Sequence, residues 1–350
     1  MVAVSLDAPV ARAGPGPQGT SAIGNGVTVT SGGDSGTRSR ERFEHPALFY
    51  SGDEQYLAGL VPFVRHGLER DEPVAVAVPG RQLGLLRDAL GADAVHVQLT
   101  DMTVAGRNPG RIIPGVLRAF ADRHAGRPVR IIGEPIWAGR SSREYPACAQ
   151  HEALINAAFT GRDVTIVCPY DTDGLDEVAL SDARATHPVL WEDGRVLPSD
   201  GYAPDAVVQQ YNQPLESPSG AAELAVHEVG QLSAVRRFTV AEATRRGLAP
   251  ERAQDLELIA TELVTNSLVH TEAAKAQLHL WDDDEHVVCE VRDGGHLTDP
   301  LVGRRPAAPH QQGGRGLLLV NHLADLVRVH TTPDGTTIQA LCRKDSRAAG

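Results

Sequence analysis

The sequence predicts two folded domains in series, an α/β domain with a mostly parallel sheet followed by an α+β domain. Three observations carry that expectation. Short apolar runs at 46–50, 74–78, 95–99, 129–132 and 164–167 alternate with helical periodicity at 54–69, 82–90, 112–124 and 147–159, as strands covered by helices on both faces require. Beyond residue 222 the order changes to strand, two helices, two strands, helix and a closing hairpin. Between the two patterns, residues 198–222 carry Pro204, Pro214 and Pro218 among Gly, Ser and Asn, which is linker chemistry and argues against one continuous signalling helix.

The chain has 350 residues, enough for each domain to bury a core of its own. A net charge of −12, with Lys275 and Lys344 as the only lysines, argues against a direct nucleic-acid-binding face. Cys148, Cys168, Cys289 and Cys342 follow neither disulfide nor metal-knuckle spacing and read as reduced thiols. Asp7, Pro9 and Arg12 interrupt the N-terminal stretch and no apolar run reaches membrane-spanning length, so no signal peptide and no membrane span are expected and the expected location is cytoplasmic. Residues 1–42 are rich in Gly, Ser, Thr and Pro without an aromatic, the composition of a disordered tail.

In the first domain, residues 43–197, the helix at 54–69 presents Leu57, Leu60, Val61, Val64 and Leu68 at helical spacing, with Pro62 as an expected kink. No phosphate-binding G-x-x-x-x-G-K-[ST] loop occurs. Ligands of open parallel sheets sit beyond the carboxyl ends of the strands, an edge expected to gather Ser51, Asp53, Glu134, Trp137, Cys168, Tyr170 and Asp171. The alternative is that Trp137 and Cys168 pack while the carboxylates cap helices. His45, Glu134, His151 and Cys168 match no standard metal spacing. The stretches HPALFY (45–50), GEPIW (133–137), HEALIN (151–156) and CPYD (168–171) resemble the MEDS sensory domain, which is found fused to kinase-like output modules. That resemblance implies an unknown small-molecule signal, for which His45, Glu134, Trp137 and Cys168 are the candidate contacts.

The second domain, residues 223–345, is organised around LELIATELVTNSLVH at 256–270. Leu256, Ile259, Ala260, Leu263 and Val264 form the apolar face of a helix, while Glu262, Asn266 and His270 stack four apart along another stripe. An amide oxygen one turn from a carboxylate suits Mg²⁺-assisted phosphate chemistry, although a solvated helix face would show the same spacing. Downstream come Arg292-Asp293-Gly294-Gly295 after a strand, Gly313-Gly314-Arg315-Gly316 opening an apolar helix, and Gly335-Thr336 on the last hairpin.

In this order, E-x-x-x-N, D-x-G, G-x-G-L and G-T resemble the N box and glycine boxes of the GHKL (HATPase, Bergerat-type) ATPase superfamily, and within it the anti-sigma-factor serine kinases. A short, aromatic-free segment after Gly295 and the lack of a phosphoacceptor hairpin separate the chain from histidine kinases. The resemblance implies ATP and Mg²⁺ as cofactors, Asn266 as the Mg²⁺ ligand, Glu262 as catalytic base toward a partner serine, and Asp293, Gly295 and Thr336 at the adenine. It places Gly314, Arg315 and Gly316 at the phosphates, and His270 either there or simply as a favourable last residue of its helix. Leu297 and Leu318 stand where many relatives carry further glycines, which bears on lid closure. The function implied is a signal-responsive serine kinase of an anti-sigma-factor antagonist (STAS) protein that also holds a sigma factor, and a homodimer is an expected state. The alternative is a nucleotide-gated or nucleotide-dead binding module that sequesters its partner without chemistry.

Overall fold

The computed structural model describes residues 43–271, 275–306 and 314–344. The expected tail at 1–42 and Gly313 lie outside them. The first region runs β1 (Phe43–Glu44), β2 (Pro46–Tyr50), α1 (Gly52–Glu69), β3 (Val74–Val78), α2 (Gly80–Leu90), β4 (Val97–Asp101), α3 (Met102–Ala105), α4 (Arg118–Arg123), β5 (Val129–Gly133), α5 (Tyr145–Ala158), β6 (Val164–Asp171), α6 (Glu177–Thr186), β7 (Val189–Glu192) and β8 (Arg195–Pro198). Its eight-stranded sheet has the order β4-β3-β5-β6-β2-β7-β8, with β1 also on β6. All pairs are parallel except β7 with β8. The alternation along β3 shows how both faces are covered. Val74, Val76 and Val78 pack with Leu60, Val64 and Leu86 of α1 and α2, whereas Ala75 and Ala77 face Ile112, Leu117 and Ile155 on the other side.

Three local features depart from the sequence expectation. The helix expected at 112–124 starts as a wide π-helical turn over Ile112–Leu117, where Pro114 offers no N–H to an α-helical ladder. A helix and a hairpin occupy 177–198; the hairpin turns on Asp193 and Gly194, both at positive φ (52° and 71°), as a two-residue Asp-Gly turn favours. Within the expected linker, α7 (Pro204–Gln210) forms behind Pro204 at its first turn, and Val207 and Tyr211 are buried against Ala149 and Ala153 of α5.

The second region comprises β9 (Ala222–Val226), α8 (Leu232–Arg245), α9 (Pro250–His270), β10 (Ala276–Asp282), β11 (His286–Asp293), α10 (Gly316–Leu323), β12 (Leu326–Thr332) and β13 (Gly335–Arg343). Its antiparallel five-stranded sheet has the order β12-β13-β11-β10-β9. Leu278, Leu280, Cys289, Val291 and Ala340 meet Leu256, Ile259, Leu263 and Val264 of α9, forming the core of a helix-on-sheet sandwich. On the opposite sheet face Trp281, Val288, Leu326 and Leu341 bury Ala147 of α5.

The described residues all fall in one compact unit, so the two regions touch directly. Asn212, past α7, brackets Thr331 of β12 with two hydrogen bonds (2.7 and 3.0 Å), and Arg107 pairs with buried Asp325 at 2.6 Å. No helix among the described residues is long and apolar enough to cross a membrane.

Candidate functional site

Pro250 opens α9 at a position where the missing N–H costs nothing, and the apolar stripe of this helix fixes its rotation on the sheet. Glu262 and Asn266 are thereby left half-buried and His270 exposed, along one stripe of the helix. Ser267, fully buried on the same turn, donates its hydroxyl to Asp293 Oδ2 at 2.6 Å. The other carboxylate oxygen accepts the Gly295 N–H at 2.7 Å. Thr336 stands opposite Asp293 in the β11–β13 register and donates to the Gly295 carbonyl at 2.7 Å. Its oxygen accepts from Thr331, which takes the Leu297 N–H at 2.9 Å. The D-x-G turn is held from three sides, and neither Ser267 nor Thr331 belongs to a motif noted in the sequence.

These groups border a cavity of about 480 Å³ lined by Asn266, His270, Asp293, Gly295, Gly314, Gly316 and Thr336, with Leu263, Val291 and Ile338 among its apolar walls. The size is that of a ligand pocket. Two glycines keep it open. A Cβ on Gly295 would lie 2.7 Å from Thr271 Cγ2, and one on Gly316 would lie 2.5 Å from Glu262 Oε2 and 3.2 Å from Asn266 Nδ2. The carboxylate and the amide of α9 thus meet the N-terminus of α10, where unpaired backbone N–H groups favour an anion. Among the described residues no hydrogen bond or ion pair engages the side chain of Glu262 or Asn266. Arg315 is exposed and does not line the cavity.

The segment after Gly295 is anchored in the first region. Leu301, 1% exposed, belongs to the core cluster of Ile112, Leu117 and Cys148. Burial of a leucine on this scale contributes about 1.5–3 kcal/mol. Arg304 is buried beside it, and burial pulls its guanidinium down to about 10. Asn108 donates to the Asn321 carbonyl at 2.9 Å, and Asn321 in turn donates to the Gly303 carbonyl at 3.0 Å. A loop of the parallel-sheet region, helix α10 and the post-Gly295 segment are therefore joined by one buried amide chain.

The four candidate contacts of the first region are not one group. His45 Nε2 and Cys168 Sγ lie 3.4 Å apart. Glu134 instead accepts the Tyr56 hydroxyl at 3.1 Å, and burial pushes its carboxyl up to about 8. Trp137 is half-buried under the Arg140 guanidinium, 4.0 Å from the ring centre. Because β6 continues to Asp171, Cys168 pairs with Ala47 inside the sheet rather than beyond a carboxyl end. Ser51 and Asp53 do occupy that edge, bonded to Asp173 and Arg81. His151 is fully buried, which pulls its imidazole down to about 3. Sequence reading missed Glu152 and His187, which join His45 and Cys168 through strand and helix placement that no linear spacing signals.

Residues 44–188 match the family profile of MEDS, the methanogen/methylotroph, DcmR sensory domain, and residues 225–341 match that of the histidine kinase-like ATPase domain. The chain carries a MEDS domain toward its N-terminus and a histidine kinase-like ATPase domain toward its C-terminus. No curated protein matches it. Among solved structures, the RsbU and RsbW domains of Rv1364c from Mycobacterium tuberculosis are 17% identical over 35% of this chain and 32% of that one, with a TM-score of 0.27. The SiaB–SiaC complex from Pseudomonas aeruginosa is 14% identical over 34% of this chain and 88% of that one, also at 0.27. This chain spans about a third of the length of the first.

Proposed function

From a sensory domain and an ATPase domain joined in one chain, we propose a signal-responsive regulator that binds ATP with Mg²⁺ and phosphorylates a serine of an anti-sigma-factor antagonist of the STAS type, holding a sigma factor in the alternative partner state. The observation that carries this reading is the single cavity that gathers Asn266, Asp293, Gly295, Gly314, Gly316 and Thr336, with Glu262 against Gly316. A cradle that a Cβ on Gly295 or Gly316 would fill, with a carboxylate acceptor near one glycine and helix N–H groups at the other, fits a nucleotide and its cation.

ATP supplies the phosphoryl group and Mg²⁺ the neutralisation of its charge. Asp293, oriented by Ser267 and the Gly295 N–H, accepts from an exocyclic amine, while Thr336 holds the turn on which it sits. Asn266 offers its amide oxygen to the cation, and the N-terminus of α10 draws the phosphates toward Glu262. Glu262 receives the serine proton as the serine oxygen bonds to phosphorus and the bond to the departing diphosphate breaks.

The sensory half acts on this site through the segment anchored by Leu301 and Arg304 and the amide chain Asn108–Asn321–Gly303. That anchoring favours a second reading, in which the signal gates nucleotide access and the domain only sequesters its partner. Incubating wild type and Glu262→Ala with ATP, Mg²⁺ and a STAS partner separates the two. The kinase reading expects phosphoserine with wild type and a loss of about 10²–10⁴-fold with the variant. Absence of phosphotransfer from a wild type that binds both ATP and the partner leaves the gated module.

A further inference from the structure

His45, Glu152, Cys168 and His187 converge in the core of the MEDS domain from four separate segments: the residue before β2, the middle of α5, the interior of β6 and the residue after α6. All four are buried to 1% exposure or less, and one ligand atom from each falls within 4.8 Å of all the others. His45 Nε2 and His187 Nε2 stand 3.4 and 3.2 Å from Glu152 Oε2, and Cys168 Sγ is 3.4 Å from His45 Nε2. Tetrahedral coordination by nitrogen, oxygen and sulfur at zinc-like bond lengths places donors about 3.3–3.7 Å apart.

The hydrogen bonding behind the two imidazoles fixes which nitrogen faces inward. Asn156 Nδ2 donates to the Thr186 carbonyl at 2.8 Å and to the Ala153 carbonyl at 3.2 Å, so its oxygen must face His45 Nδ1, 3.2 Å away. His45 therefore donates from Nδ1. His187 Nδ1 lies 2.8 Å from the Ala183 carbonyl, which can only accept, so it too donates from Nδ1. A neutral imidazole protonated at Nδ1 presents the Nε2 lone pair; that of His187 faces Glu152, and that of His45 lies 3.4 Å from both Glu152 Oε2 and Cys168 Sγ. Among the described residues, neither Glu152 oxygen nor His187 Nε2 has a hydrogen-bond partner, although all three are sealed from water. Two lone pairs facing a buried carboxylate at 3.2–3.4 Å repel one another unless something positive lies between them. Donation from Nδ1 to an oxygen acceptor is also the arrangement that orients a histidine for metal binding through Nε2.

We propose that the MEDS core of this chain binds one divalent transition-metal ion of the zinc class through His45 Nε2, Glu152, Cys168 Sγ and His187 Nε2. On binding, the Cys168 thiol releases its proton to solvent as the metal–sulfur bond forms. The charges of one carboxylate and one thiolate then cancel that of the ion, leaving a neutral cluster in an apolar core. The site ties α5 and α6 to the sheet, and α5 carries Ala147 into the face of the ATPase sheet. It is independent of the nucleotide pocket.

The test is metal analysis of the full-length protein purified without chelator, followed by Co²⁺ substitution and absorption spectroscopy. We expect about one first-row transition metal per chain. The cobalt form should show a sulfur-to-cobalt charge-transfer band with tetrahedral d–d absorption. Cys168→Ser should abolish the charge-transfer band and lower metal content, while Cys148→Ser, at a buried cysteine outside the cluster, should leave both unchanged. A folded wild type that carries no stoichiometric metal and gives no such spectrum with Co²⁺ overturns the proposal. So does a metal complement that Cys168→Ser leaves intact.

Discussion

The pocket proposed to bind nucleotide and the buried His-Glu-Cys-His cluster are assembled by different logics. In the pocket, each functional group arrives on a short segment with its own local signal: a helical stripe for Glu262, Asn266 and His270, a glycine turn for Asp293 and Gly295, a helix start for Gly314 and Gly316. In the cluster, His45 and Cys168 are 123 positions apart and meet only because β2 lies beside β6. Sites built from local geometry are legible in a sequence, whereas sites built from strand order are not.

The two regions also differ in their openness. The pocket has half-buried polar groups at a cavity, while the cluster is sealed and, among the described residues, both Glu152 oxygens and His187 Nε2 lack hydrogen-bond partners. Openness favours an exchangeable ligand and closure favours a resident one. Leu301 connects the regions, because it leaves the pocket's rim and ends in the core that also contains Cys168.

The largest expected effect on this comparison comes from cutting that connection. Leu301→Ala should lower unfolding free energy by about 2–5 kcal/mol in urea titrations, since a buried leucine is replaced by a cavity. If the segment were only a free lid over the nucleotide, stability would change by less than about 0.5 kcal/mol.

A somewhat smaller effect concerns Glu134. Its carboxyl is raised from 4.5 to about 8 by burial, so the folded state keeps a proton that the unfolded chain has lost. The sign follows: this contribution is full below about pH 4.5, declines as pH rises and is gone above about pH 8. Glu134→Gln, which stays neutral, should match wild type near pH 5 and exceed it near pH 8.5 by a few kcal/mol, because each tenfold change in proton affinity corresponds to about 1.4 kcal/mol. Parallel stability–pH curves for the two proteins would contradict this.

Asn108→Ala should cost about 1–2 kcal/mol, measured by thermal unfolding, because it removes the amide that donates to Asn321 and leaves that carbonyl buried. With the 108–321 link gone, ATP affinity should respond less to any signal bound by the MEDS domain. An unchanged response would place the coupling elsewhere.

Much of the architecture follows from patterns that need no tertiary information. The VAVAV run of β3 specifies a strand buried on both faces, and the stripe from Leu256 to Val264 a helix and its buried side. The β7–β8 hairpin went unexpected, although its Asp193-Gly194 turn carries a local signal that was readable. Ser267 was not, since a serine inside a helix stripe looks like any other until Asp293 lies beside it. Leu301 was hidden for a related reason. Leu297, Leu301 and Val302, scattered through a polar segment, show no periodicity, and the burial of Leu301 depends on a neighbouring domain.

The most direct test of the account is a calorimetric titration of the full chain with ATP, with and without Mg²⁺, beside Asn266→Ala. The account predicts Mg²⁺-dependent binding to wild type, weakened on the order of 100-fold in the variant. A folded wild type that binds no ATP, or a variant that binds as tightly, would contradict it.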